Sequence, residues 1–146
     1  MNVDLPWPAF LPRDYVPGQK LRIEVYRRLA RLRDPEKLAD FRQELRDRYG
    51  APPEPVEWLL RATEVRLLCV RWKIAGVHRD GPDLVFSYRN RKAAEQLQAF
   101  SRNRVKVVDE KSLYLRLKPE DEGPEATYRL LLGVLGGAAG VASGKP

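Results

Sequence analysis

With one cysteine and one histidine in 146 residues, this chain lacks the raw material for several kinds of chemistry. Cys69 alone cannot close an internal disulfide or build a cysteine metal cluster. It lies in the apolar run Leu67–Val70 and reads as a buried, inert thiol. His78, between Val77 and Arg79, has no neighbour that makes a catalytic dyad, and it reads as a hydrogen-bonded histidine at a strand edge. No uncharged apolar run approaches the ~20 residues of a membrane-spanning helix, and nothing resembles a signal peptide. The expected setting is the reducing cytoplasm. Phosphate-cradling P-loop, dinucleotide-binding glycine, nucleophile-elbow and zinc-protease motifs are all missing. Asp109, Glu120, Asp121, Glu122 and Glu125 are numerous enough to supply a carboxylate pair, but they fall in a turn and a charged linker, where solvated acids are usual. A non-enzymatic domain with no cofactor or metal of its own is expected.

Charge and proline are abundant. The net charge is +7, and arginine outnumbers lysine 19 to 8. Lys20–Arg33 and Arg89–Lys106 are each strongly basic, whereas Asp109–Glu125 is acidic. Such asymmetry suits nucleic-acid phosphates or an acidic protein surface, and simple solubility accounts for it equally. The nucleic-acid reading would place Arg89, Arg91, Lys92, Arg102, Arg104 and Lys106 on one basic face, with Phe86, Tyr88 and Tyr114 as stacking aromatics. The competing reading puts Phe86 in the core and leaves Tyr88 and Tyr114 as half-exposed strand residues.

Along the chain, residues 1–17 hold Pro6, Pro8, Pro12 and Pro17 and are expected to form an extended, irregular arm. Trp7, Phe10 and Tyr15 would pin it. Three helices should follow: Gly18–Leu32, with Leu21, Val25, Leu29 and Leu32 inward; Pro35 to just before Gly50, capped by Asp34; and Glu54–Trp72. Ile74–Arg79 and Leu84–Tyr88 flank a turn sequence and predict a hairpin. Asn90 predicts a cap for a helix over Arg91–Arg102, with Ala93, Ala94, Leu97 and Phe100 inward. Val105–Val108 and Ser112–Leu117 predict a second hairpin, and Gly123-Pro124 a last helix to Leu135. The class is α+β: three helices, hairpin, helix, hairpin and helix, with a small, mainly antiparallel sheet covered by helices. One domain over 18–135 is expected, and a flexible Gly/Ala tail over 136–146.

The stretch Phe41–Val56 has the most distinctive pattern. Leu38, Phe41 and Leu45 recur at helical spacing and leave Glu44, Asp47 and Arg48 on the flank. Gly50 stops the helix, and Pro52, Pro53 and Pro55 reset the chain. Glu44 and Asp47, three apart, share a helix face and can together meet cationic groups. An ordinary solvated helix end would carry the same charges.

Leu11-Pro12-Arg13-Asp14-Tyr15-Val16-Pro17, Tyr26-Arg27-Arg28-Leu29-Ala30, Glu44-Leu45-Arg46-Asp47-Arg48-Tyr49-Gly50 and Pro53-Glu54-Pro55-Val56 occur in that order, followed by Leu59-Leu60 and Val65-Arg66-Leu67-Leu68. The series resembles the C-terminal domain of the bacterial transcription-repair coupling factor (Mfd) family over about residues 3 to 74. The resemblance implies the excised terminal domain of an ATP-driven DNA translocase, or a short paralogue of it. ATP and Mg would be used by motor domains elsewhere in such a parent, which removes stalled RNA polymerase from DNA and recruits nucleotide excision repair through UvrA. It further implies an autoinhibitory domain that docks on the UvrB-like module of the same polypeptide and masks the UvrA-binding surface. Glu44, Asp47 and Arg48 match the family's interdomain contact. Arg46 departs from the pattern, since an apolar residue is common there, and beyond Ile74 no functional residue carries over.

Overall fold

The computed structural model describes residues 1–137. Its elements run β1 (Asn2–Asp4), α1 (Gln19–Arg31), α2 (Pro35–Tyr49), α3 (Glu54–Arg71), β2 (Ile74–Asp80), β3 (Asp83–Tyr88), α4 (Arg91–Phe100), β4 (Val105–Val107), β5 (Ser112–Arg116), a 3-10 turn (Pro119–Asp121) and α5 (Pro124–Leu135). The class is α+β, with five helices and a five-stranded, mostly antiparallel sheet. The chain divides into two compact units, Trp7–Leu67 and the combination of Met1–Pro6 with the chain from Leu68.

In the Trp7–Leu67 unit, Val25 and Leu29 of α1, Leu38, Phe41 and Leu45 of α2, and Val56, Leu60 and Leu67 of α3 form one buried cluster with Leu11, Tyr15 and Val16. The helical spacing of these residues is what puts them on facing stripes. Leu21, expected inward, is 41% exposed; it lies in the first turn of α1, a turn before the first buried residue, Val25. Arg66 of α3 donates Nη2 to the carbonyls of Leu29 and Leu32, both at 2.9 Å, so the last turn of α1 is capped by a cation. Burial there pushes the Arg66 pKa down, and nearby Arg33 adds to the effect.

The proline-rich stretch of this unit is held at several points. Trp7 packs on Trp58 with ring centroids 5.2 Å apart, and the Leu11 amide donates to the Tyr26 hydroxyl at 2.9 Å. Tyr15 is buried. Phe10, expected as an anchor, is instead 49% exposed and contributes through its backbone, whose amide reaches the Pro55 carbonyl.

The other unit contains the sheet, in the order β1-β2-β3-β5-β4. The expectation of an irregular Asn2–Pro17 fails at its start. Asn2–Asp4 is a strand, parallel to β2, with Asn2 opposite Gly76 and Asp4 opposite His78. This segment precedes the first proline, so its amides are free to join a ladder. Both predicted hairpins form. Leu113, Leu115 and Leu117 alternate inward, and Asn90 caps α4 by accepting the Ala93 amide at 2.9 Å. Phe100 does not point into the core as expected. It ends α4, stays 45% exposed and lies against Trp72. Gly136, at φ +80, and Gly137, whose amide donates to the Leu132 carbonyl, close α5. From residue 138 the predicted tail lies outside the described residues.

Candidate docking surface

Helix α2 owes its bounds to local chemistry. The Asp34 side chain accepts the Glu36 amide at 2.9 Å, Pro35 opens the first turn, and Gly50 at φ +93 ends it by donating its amide to the Arg46 carbonyl. Leu38, Phe41 and Leu45 are buried, so the flank carrying Glu44, Asp47 and Arg48 is fixed relative to a rigid stripe. The helix end is also tied from outside. Tyr15 Oη donates to the Gly50 carbonyl at 2.8 Å and lies 3.3 Å from the Leu45 carbonyl, and its ring is tilted against Tyr49 at 5.6 Å.

The three charges differ in surroundings. Glu44 accepts a bidentate fork from Arg28 of α1, Nη1 to Oε2 at 2.6 Å and Nη2 to Oε1 at 2.8 Å. Arg48 approaches the same Oε2 at 3.7 Å. Beneath the fork, the Arg28 guanidinium sits 4.5 Å from the centre of the Phe41 ring. The Arg28 hydrogen bond holds the Glu44 carboxyl below its ordinary range, against an opposing contribution from burial, and the same bond raises the pKa of Arg28. Asp47 is exposed and accepts only the neutral Gln43 amide, at 2.9 Å, among the described residues. Arg48 is exposed over the Tyr49 ring, and Arg46 is exposed as well. Next to this surface Arg42 pairs with Glu57, joining α2 to α3.

Helical spacing brings Glu44, Asp47 and Arg48 to one helix end, as the sequence suggests. Arg28 is the residue that sequence reasoning passed over. It stands inside the Tyr26–Ala30 motif, but a pairing across 16 residues leaves no local spacing signal.

Two of the six basic residues considered in the other unit have acidic partners. Arg91 pairs with Glu95 at 3.0 Å, and Arg104 lies 3.4 Å from Asp121. Arg89, Lys92, Arg102 and Lys106 are exposed. Phe86 is fully buried, and Tyr88 is buried with its hydroxyl donating to the Asp109 carbonyl at 2.7 Å, so Tyr88 is not the half-exposed residue expected. Neither ring can receive a base, and of the three aromatics only Tyr114 is partly open. Four of the five acids considered for catalysis have structural partners: Asp109 accepts the Lys111 amide, Asp121 the Lys118 amide, Glu122 pairs with Arg79 and Glu125 with Arg129. Among the described residues no group of three His, Cys, Asp or Glu side chains is placed to hold a metal ion, and no helix is long and apolar enough to cross a membrane.

Residues 5–99 match the family model described as the TRCF domain. The transcription-repair-coupling factor of Mycobacterium tuberculosis is 46% identical over 69 residues, which is 47% of this chain and 6% of that protein. The factor of Rickettsia typhi is 30% identical over 122 residues, 83% of this chain and 10% of its own length. The chain therefore spans a tenth or less of these relatives. A crystal structure of the C-terminal domain of transcription-repair coupling factor superposes with a TM-score of 0.76 at 18% identity, covering 92% of this chain and 89% of that one. At that identity the likeness is one of fold.

Proposed function

The chain belongs to the TRCF domain family, the C-terminal domain of transcription-repair coupling factors, and from that premise we propose that it is a regulatory, non-enzymatic module that docks on a UvrB-like module of its parent translocase. Docked there, it masks the surface used by UvrA and holds the parent in a repressed state. ATP and Mg, RNA polymerase and DNA are handled by other parts of that parent. The observation that supports this reading best is the charged flank Glu44–Asp47–Arg48, displayed on a helix end that Gly50 and Tyr15 hold in place. Charges on a rigid support give register and specificity, while partial exposure keeps their net affinity modest and the contact reversible.

The test is a titration of this chain against the isolated UvrB-like module of the Mycobacterium tuberculosis coupling factor. Glu44→Ala combined with Asp47→Ala should weaken binding by about tenfold, the equivalent of ~1.4 kcal/mol. Both side chains are at the surface, so circular dichroism should show an intact fold. Wild-type affinity in the folded double variant would remove these residues from the interface.

A second reading, electrostatic contact with nucleic-acid backbone, is favoured by the exposed Arg89, Lys92, Arg102 and Lys106. Phosphate contacts strengthen as salt falls, so an oligonucleotide titration at low salt decides it, and absence of binding there excludes this reading.

A further inference from the structure

Resting on the docking surface proposed above, we infer that Arg28 is an affinity-setting residue of that surface, holding Glu44 in an internal fork that a partner cation must displace or share. Both oxygens of Glu44 are engaged by the two terminal nitrogens of Arg28, at 2.6 and 2.8 Å. A planar guanidinium meeting a carboxylate in this way forms the strongest of the common side-chain ion pairs. Arg48, 3.7 Å from one of the same oxygens, adds a second cation to a single acid. The three groups together carry one net positive charge. A cation approaching Glu44 therefore meets repulsion, whereas one approaching Asp47 meets an exposed carboxylate touched by a neutral amide.

Glu44 and Asp47 are thus unequal. Asp47 attracts the partner, and Glu44 joins only by exchange. The exchange is feasible because the fork is not sealed: the Arg28 and Glu44 side chains are 39% and 37% exposed, so solvent screens the pair and can stabilise the open form. The ring of Phe41 gives the displaced guanidinium a surface to remain on. Arg28 weakens docking in this arrangement, and a latch that must release benefits from a competitor in the same molecule.

Arg28→Met tests the inference in the same titration, because methionine keeps an unbranched stem against Phe41 and removes the fork. Binding should tighten by about two- to fivefold, the range of a part-exposed ion pair. The same substitution in a Glu44→Gln background should change nothing. Tightening that persists in that background marks a general charge effect and overturns the fork. Unchanged or weaker binding of Arg28→Met, with Asp47→Ala still weakening, also overturns it and leaves the docking reading standing. If Asp47→Ala and Glu44→Gln are both without effect, the docking reading fails and this inference falls with it. Should Arg28→Met not fold, Arg28→Lys keeps the charge but cannot form the planar fork, and a smaller tightening is expected under the same criteria.

Discussion

Two neighbouring tyrosines offer a test of how the end of α2 is held. Tyr15→Phe and Tyr49→Phe each delete one hydroxyl from rings whose centres are 5.6 Å apart. The deleted groups have opposite circumstances. Tyr15 Oη donates a good bond to the Gly50 carbonyl at 2.8 Å, with the Leu45 carbonyl as a more distant second acceptor. Tyr49 Oη is buried and has no hydrogen-bond partner among the described residues. A typical intramolecular hydrogen bond contributes about 1 kcal/mol net, and stranding its buried partner adds to the loss, so Tyr15→Phe should cost ~1–2 kcal/mol. Removing a hydroxyl that is already buried without a bond should be neutral, or stabilise by up to about 1 kcal/mol. Thermal melts followed by circular dichroism resolve this, since 1 kcal/mol moves the midpoint of a chain of this length by roughly 2–4 °C. Equal shifts for the two variants, or a silent Tyr15→Phe, would show that Tyr15 acts only through its ring and that the tie to Gly50 does not hold the helix end.

Two further outcomes follow from the electrostatics. The Glu44 carboxyl is held below its usual range, so the Arg28 fork contributes fully above that range, and its contribution is lost as pH falls through the folded-state value. Melts taken from neutral to acid pH should therefore lose less stability in Glu44→Gln than in the wild type, by under about 1 kcal/mol because the pair is part exposed. An identical acid profile in the two would contradict a charged fork. Cys69 is buried, and burial pushes its thiol up to about 12, so it should resist thiol reagents in the native chain and react once urea unfolds it. Prompt labelling of the folded protein would contradict its place in the core.

Much of the fold was legible because its signals are local. Asp34-Pro35 and Gly50 mark both ends of α2, Asn90 marks the start of α4, and the alternation of Leu113, Leu115 and Leu117 declares the buried face of β5. The misses are features that only tertiary contact decides. Asn2–Asp4 becomes a strand because β2 offers it an edge, and nothing within the segment announces that. Periodicity alone cannot tell that Leu21 and Phe100, at opposite helix ends, lie beyond the packed stretch. At the candidate site, the same periodicity gathers Glu44, Asp47 and Arg48 but is blind to Arg28, which reaches Glu44 from another helix. Two of the three aromatics proposed for stacking, Phe86 and Tyr88, failed on burial. Strand propensity and core packing favour the same residue types, so composition could not separate them.

The parallel pairing of Asn2 with Gly76 has a consequence for synthesis. During synthesis β1 emerges well before its partner strand, which follows only after the whole Trp7–Leu67 stretch. Closing so long a loop is entropically costly and slow compared with contacts between adjacent helices. The helical unit can thus collect its own contacts while β1 is still waiting, and β1 is among the last elements to find its place. Nascent-chain hydrogen exchange should accordingly show the amides of α1 and α2 protected before those of Val3 and Asp4.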